Sequence, residues 1–262
     1  MFLKYKTYLA LVIILSFADS WSILLFFLSP ILGYLIGGFP TAYIISKLVA
    51  GIDPREFGSG SVSTRNTIRA AGLWPWGGIV FSVDITKGIF ACTIIEYLLA
   101  PLTSLSAGYT EYYVILGAIA AVAGHCWMPY LKFQGGKGLG TYVGLLFYVY
   151  WPTIIVWPFL TLFLMIKTTG FAGYGSCWST LYVPPFWYFV DLLTEALGLV
   201  DLPLAFWPHA FFTDGTMGWS FILLYGLGMH IVLTLRHLPE FQRIKRGEAQ
   251  VWKSLKRTEM LK

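Results

Sequence analysis

The chain has 262 residues, of which 57% are hydrophobic and only 12% charged, with a net charge of +5. Soluble domains carry about 25% charged residues, so this composition excludes a soluble globular enzyme and points to an integral membrane protein with several spans. The apolar segments are apolar all round rather than alternating, which excludes a β-barrel and leaves helices.

The placement of charge says more than its sum. Residues 236–262 hold eight of the eighteen Lys and Arg, against three acids. A basic tail after the last span marks the cytoplasmic side and touches anionic membrane lipid. Basic and aromatic residues do not alternate and no recognition motif stands out, so no nucleic-acid partner is expected. Cys92, Cys126 and Cys177 lie far apart without a Cys-x-x-Cys. Neither a disulfide framework nor a zinc site is expected, and the thiols read as small hydrophobes.

The first 29 residues read two ways. Lys4 and Lys6 precede an apolar run, Tyr8 to Phe17, and a small-x-small stretch before Asp19, the layout of a signal peptide. The favoured alternative is an uncleaved helix to about Ser29, because Ile23 to Phe27 continue the apolar run. A span over 30–50 follows, with Pro30 in its first turn. Gly33 and Gly37 suit close helix contact, and Gly37, Gly38 and Pro40 loosen the helix midway. Spans at 73–100 and 110–131 come next, then an apolar exit over 139–166. Region 167–220 is interrupted by glycines, prolines and acids, so a helix near 177–199 is expected to be broken, re-entrant or interfacial. The last span covers 217–235. The expected fold is all-α: a polytopic integral membrane helical bundle of about seven membrane helices, one of them broken or re-entrant. Residues 30–248 form the membrane domain and 249–262 the cytoplasmic tail.

Three polar stretches interrupt this pattern. In lipid, polar backbone and charge survive only where protein or a water-filled cavity shelters them. Three such stretches suggest one site at the membrane surface for anionic, lipid-like molecules. The first runs from Phe57 to Arg69. In Gly58-Ser59-Gly60-Ser61, glycines let backbone N–H groups approach an anion and hydroxyls add donors. Arg65 and Arg69 share a face if helical, and a helix starting near Thr64 would aim its N-terminus at the same anion. The alternative is a cytoplasmic loop with topology arginines. The second stretch is Gly124-His125 followed by 132–138. Its Gly135-Gly136-Lys137-Gly138 is not a Walker loop, since Gly follows the lysine, but a lysine among glycines holds phosphate as a point charge. The alternative is a Gly-rich turn with a boundary lysine. The third runs from Arg236-His237 through Arg243, Arg246 and Gly247 to Glu248. His125 and His237 read either as bases or as structural hydrogen-bond partners, and neither has metal-ligand spacing. Asp84 and Lys87, three apart inside a span, form either an internal ion pair that fixes packing or a lysine held near substrate by its acid.

Together these residues resemble the acyl-phosphate-dependent glycerol-3-phosphate acyltransferase family of bacteria. The resemblance rests on Gly38-x-Pro40-Thr41-x-Tyr43, then Gly58-Ser59-Gly60 through Asn66-Thr67-x-Arg69 and Gly72, and on Asp84-x-x-Lys87-Gly88. It continues in Gly124-His125, Leu131-Lys132-Phe133 and Gly135-Gly136-Lys137-Gly138-x-x-Thr141, and more loosely in Arg236-His237, Arg243 and Gly247. The chain departs from the family at Ser61 to Arg65, where the family has Asn-Ile-Gly-Ala-Thr, at Met128 in place of Pro, and at Glu240 in place of Asn. An acid near a phosphate site repels it, so either Glu240 points away or the binding mode differs. Residues 150–216 look like an insertion without counterpart.

The resemblance implies acyl transfer from an acyl-phosphate to the 1-hydroxyl of sn-glycerol 3-phosphate, giving lysophosphatidic acid and phosphate. It implies a plasma-membrane enzyme with cytoplasmic motif loops and C-terminus and no cofactor; the histidine spacing speaks against a metal, and an acyl-phosphate, already activated, requires no covalent enzyme intermediate. By the same resemblance, Ser59, the backbone around Gly60 and Arg69 bind phosphate; Arg65, a departure from the family, joins the substrate-binding set through the helical face it shares with Arg69. Lys137, with the amides of Gly136 and Gly138, binds the second phosphate and stabilises developing oxyanion charge as a catalytic group, and Lys87, Gly135 and Arg243 complete the substrate-binding set. Asn66 orients a hydroxyl, and His125 and His237 are the candidate bases, unless the acyl-phosphate oxygen itself accepts the proton. Rival readings are a transporter of an anionic solute, for which broken helices and intramembrane charge also speak, and a homologue with a different acyl acceptor or without activity. A CDP-alcohol phosphotransferase needs an aspartate cluster that this chain lacks. Oligomeric state, a monomer included, and acyl-chain length stay open.

Overall fold

The structure, a computed structural model, describes residues 20–56, 59–102, 107–150, 153–168, 171–196 and 219–248. Among them are nine α-helices and no strand. They are α1 (Ser20–Gly37), α2 (Thr41–Ala50), α3 (Thr64–Ala71), α4 (Gly78–Ile94), α5 (Ala107–Cys126), α6 (Leu139–Tyr150), α7 (Thr153–Lys167), α8 (Ala172–Ala196) and α9 (Trp219–Lys245). Wider turns at Leu73–Gly77 and Ile95–Leu99 extend α4 at both ends. Residues 1–19, 197–218 and the tail 249–262 lie outside the described residues, as does Gly58 of the first polar stretch.

Among the described residues, three segments are long and apolar enough to cross a membrane: Ser22–Ala50, Leu73–Leu102 and Thr110–Leu131. The last two match the expected spans. The first does not begin at Pro30, because α1 runs through residues 29 and 30 without a break and carries Pro30 inside it. The expected loosening is where glycine and proline put it: Gly38, Phe39 and Pro40 separate α1 from α2. The expected single exit over 139–166 is instead two helices, α6 and α7. The region expected to be broken near 177–199 is one helix of 25 residues that keeps Pro184 and Pro185 inside it. The last helix continues ten residues past the expected end at 235, so Arg236, His237, Glu240 and Arg243 stand on a helix and not in a loop. Polarity marks where a helix leaves lipid; it does not mark where the helix ends.

Helix α5 is the axis of the bundle. It packs against α1, α4, α6 and α9, while α8 packs against both α7 and α9. Tyr113, Ile115, Leu145, Leu146, Tyr225, Met229 and Leu233 fill the centre and are buried. Helix association in lipid depends on close packing of small residues, since lipid tails are as apolar as leucine. The Gly33 and Gly37 pair does this. A methyl group on Gly33 would stand 2.1 Å from the Gly117 carbonyl oxygen, and one on Gly37 would stand 2.0 Å from that of Ala121. The outer faces are apolar: Phe27 is 60% exposed and Phe159 is 69% exposed. In water such a surface is an aggregation liability; facing hydrocarbon it is the solvent face of a membrane protein.

Candidate active site

The Gly135-Gly136-Lys137 segment is the hub on which the three polar stretches meet. It enters α6 after a turn at Lys132 and Phe133, both with positive φ, and folds back along the end of α5. The Gly136 N–H donates to the His125 carbonyl at 2.9 Å. The approach is too close for any side chain: a Cβ on Gly136 would lie 2.0 Å from His125 Nε2 and 2.7 Å from the Val62 carbonyl oxygen.

The first stretch reaches the hub through Val62, whose N–H donates to the Gly135 carbonyl at 3.4 Å. Its shape is set by Asn66. That side chain is buried, and its Nδ2 donates to the Ser61 carbonyl at 2.9 Å and to the Pro54 carbonyl at 3.2 Å. Its Oδ1 accepts from the Ser59 N–H and hydroxyl, both at 3.3 Å, and from Arg69 at 3.4 Å. Helix α3 does begin at Thr64, as expected, with Ser63 extended before it. Arg65 and Arg69 are both exposed on it. Gly60 has a φ of +68°, a conformation that favours glycine. Upstream, Asp53 and Arg55 form an ion pair. The hydrogen bond from the Arg55 side chain holds the Asp53 carboxyl below the usual carboxylate range. A depressed carboxyl stabilises the loop above its unfolded pKa, and that contribution is lost as pH falls through the folded value. Exchange of the Arg55 amide, which donates to Asp53 Oδ1, should therefore stay protected at a pH where an ordinary carboxylate is already protonated. In Asp53→Asn the protection should be weaker and no longer depend on pH across that range.

The third stretch grips the hub from α9. Arg236 Nε donates to the Gly136 carbonyl at 2.6 Å and its terminal nitrogen to the Gly135 carbonyl at 2.8 Å. One turn on, Glu240 contacts the Lys137 ammonium. His237 is buried beside them. Its Nδ1 donates to the Leu233 carbonyl at 2.8 Å, its ring stacks on Phe241, and Gly173 of α8 leaves room for it.

Beneath the hub, α4 supplies a buried ion pair, with Lys87 Nζ 2.9 Å from Asp84 Oδ1. Lys87 also reaches the Phe39 carbonyl at 3.5 Å, inside the break between α1 and α2. Asp84 lies 3.6 Å from His125 Nδ1. Lys87 pairs internally and also lines a groove of about 470 Å³. Leu35, Phe39, Val83, Phe90 and Tyr130 form the apolar walls of that groove.

Several expected roles change with this geometry. The Gly136 amide is spent on the His125 carbonyl and does not face an anion. Asn66 hydrogen-bonds Ser59 and two loop carbonyls and so shapes the loop. His125 and His237 are both enclosed, 3% and 0% exposed, which suits positioning better than proton abstraction from a bound substrate. Glu240 does not point away; it pairs with Lys137. Arg65 and Arg243 are exposed, and the hub's contacts do not include them. Arg236 was expected in the third polar stretch and its motif but without a role of its own; it holds the hub's carbonyls. The structure brings together Lys137, Gly135, Gly136, His125, His237, Asp84 and Lys87, with Gly138 at a φ of +81° entering α6.

A family model described as Glycerol-3-phosphate acyltransferase matches residues 27–247. Among curated proteins, the chain is 40% identical over 149 residues to "Glycerol-3-phosphate acyltransferase 2" of Thermotoga maritima, covering 57% of this chain and 70% of that protein. It is 31% identical over 180 residues to the Bradyrhizobium diazoefficiens "Glycerol-3-phosphate acyltransferase", covering 68% of this chain and 85% of that protein. Its fold is similar to the crystal structure of PlsY (YgiH), an integral membrane glycerol 3-phosphate acyltransferase, in its glycerol 3-phosphate form. That match has a TM-score of 0.59 at 22% identity over 90% of this chain and 98% of that one. The lysophosphatidic acid form of the same protein matches with a TM-score of 0.57 at 21% identity, over 86% of this chain and 94% of that one. The chain belongs to the glycerol-3-phosphate acyltransferase family.

Proposed function

We propose that the chain transfers a fatty acyl group from an acyl-phosphate to the 1-hydroxyl of sn-glycerol 3-phosphate, with the motif loops and C-terminus on the cytoplasmic face of the cell membrane. The observation that carries this reading is the convergence of all three polar stretches on Gly135-Gly136-Lys137, at the end of apolar helices. Both substrates carry phosphate, one carries a long apolar tail, and the site has cationic groups beside an apolar groove.

In this reading Lys137 takes one phosphate as a point charge. Its side chain is 33% exposed, so an anion reaches it from the aqueous face. Arg69, beside Asn66, and Arg65 on the same short helix take the other, with Ser59 and Gly60 forming the loop wall. Lys87 borders the groove, and the acyl tail lies along Leu35, Phe39 and Phe90. The acceptor hydroxyl oxygen bonds to the acyl carbon while the carbon–oxygen bond to phosphate breaks. The departing phosphate takes the hydroxyl proton, so neither buried histidine has to act as base. An acyl-phosphate is a mixed anhydride and is already activated, and most of the acceleration then comes from holding two reactants in one orientation.

The test is formation of lysophosphatidic acid and phosphate by the purified protein in detergent, given palmitoyl-phosphate with and without glycerol 3-phosphate. Product should require both substrates. In Lys137→Ala, kcat/KM should fall about 10²–10³-fold, the loss expected when one preorganised electrostatic contact is removed. Folded protein that forms no product from these substrates would refute the reading. Uptake of an anionic solute into vesicles, without chemical change, would replace it with transport.

A further inference from the structure

Glu240 has no part in the transfer described above, and its surroundings are unusual. One carboxylate oxygen, Oε1, contacts Lys137 Nζ. The other, Oε2, is buried without a hydrogen-bond partner and lies 4.0 Å from His237 Nε2, which is also buried without a partner. His237 Nδ1 donates to the Leu233 carbonyl, and a carbonyl only accepts. The neutral ring therefore offers Oε2 a lone pair, and the two acceptors do not satisfy each other. Arg236, one turn back on α9, gives its donors to the Gly135 and Gly136 carbonyls. What holds the carboxylate in place is the charge on Lys137.

We infer that Glu240 sets the affinity of this site: it is an internal anion that occupies Lys137 in the absence of substrate and competes with the phosphate group Lys137 takes. The inference rests on the reading of Lys137 as a phosphate-binding residue. Glu240 is 27% exposed on its side chain, so it can rotate off Lys137 into solvent without unpacking α9. Only the open fraction of the pair binds phosphate, and the apparent dissociation constant rises by the inverse of that fraction. A partly exposed pair favours the closed arrangement by about fivefold at the upper end of measured values. The cost is borne by the protein, so it is the same for every anion that uses Lys137, whatever carbon skeleton the anion carries. A residue that contacted the substrate directly would instead discriminate between skeletons.

The experiment is calorimetric titration of the full chain in detergent with inorganic phosphate, for wild type, Glu240→Gln, Glu240→Ala, Lys137→Ala and Lys137→Ala/Glu240→Gln. Glu240→Ala covers the case in which a glutamine amide bonds locally or the first variant folds poorly. Phosphate should bind about fivefold more tightly when Glu240 is replaced. KM for the phosphate substrate held by Lys137 should fall by the same factor, and the gain should vanish in the Lys137→Ala background. Unchanged or weaker phosphate binding in both folded variants overturns the inference, and so does the lack of measurable binding in either. Acyl transfer that depends on Lys137, without a gain in phosphate affinity, sinks the inference and leaves the proposed function standing. Tighter phosphate binding in a protein that forms no acylated product does the reverse.

Discussion

Replacing Gly136 by alanine should abolish most of the activity while leaving the helices intact. A single methyl group at this position would stand 2.0 Å from His125 Nε2 and 2.7 Å from the Val62 carbonyl oxygen. Neither neighbour can yield. His125 is buried between Asp84 and the hub, and the Val62 carbonyl belongs to the loop that Asn66 pins. The chain must therefore lift the hub away from α5. That breaks the 2.9 Å bond from Gly136 to the His125 carbonyl and carries Lys137 outward. A displacement of about 1 Å in a positioning element costs about 10²-fold in rate, and here the element carries Lys137, the lysine proposed to hold phosphate. Gly135→Ala should act the same way, since its Cβ would stand 2.3 Å from the His125 carbonyl oxygen. The check is kcat/KM beside far-ultraviolet circular dichroism in the same detergent. Helix content equal to wild type, with activity reduced about 10²-fold, is the expected pair of results. Full activity in folded Gly136→Ala would mean that the hub tolerates displacement and that the tight contact is not what positions Lys137.

The helical character of the chain and two of its spans were legible because composition and long apolar runs respond to the same physics, transfer from water to hydrocarbon. What did not read out was where helices stop. Pro30, Pro184 and Pro185 carry a breaking signal calibrated on soluble proteins, yet α1 and α8 run through them. Inside a bundle, neighbouring helices and local adjustment compensate for the lost backbone bond. The break inside an apolar run that was read correctly, at Gly38 to Pro40, combines two backbone-loosening residues, and Lys87 reaches its Phe39 carbonyl. In this bundle proline without glycine is weaker punctuation than glycine and proline together.

The site shows the same division. The types of residue that gather at the hub could be read from the chain, because glycine beside lysine has few uses in a membrane protein. Their partners could not. Arg236 and Glu240 lie about 100 residues from the carbonyls and the lysine they contact, so only folding pairs them. Asn66 is the converse case. An asparagine in a Gly/Ser loop suits ligand binding and loop shaping equally, and the choice depends on where its amide points. It points inward, to Pro54 and Ser61.

The second large effect should come from Asp84, through stability. Lys87 and Asp84 are both nearly sequestered, with side chains 4% and 5% exposed, and their separation is 2.9 Å. Removing one partner of a buried pair leaves a lone charge in low dielectric, at a cost of about 3–5 kcal/mol. Native stabilities are about 5–15 kcal/mol, so Asp84→Ala should bring the protein close to unfolding at ordinary temperature. The consequences run further than the pair. Lys87 holds the Phe39 carbonyl in the break between α1 and α2, and Asp84 faces His125, on which the hub rests. Replacing both charges, as Asp84→Leu with Lys87→Met, removes the isolated charge and should restore most of the stability. It should not restore activity, because the Phe39 carbonyl loses its donor and His125 loses its acid. Thermal unfolding in detergent, followed for Asp84→Ala, Lys87→Met and the double variant, separates these contributions. A midpoint in Asp84→Ala within error of wild type would show that water reaches the pair and that its charges are not stranded in the bundle. Recovery of stability and activity together in the double variant would reduce the pair to a packing device with no part in shaping the site.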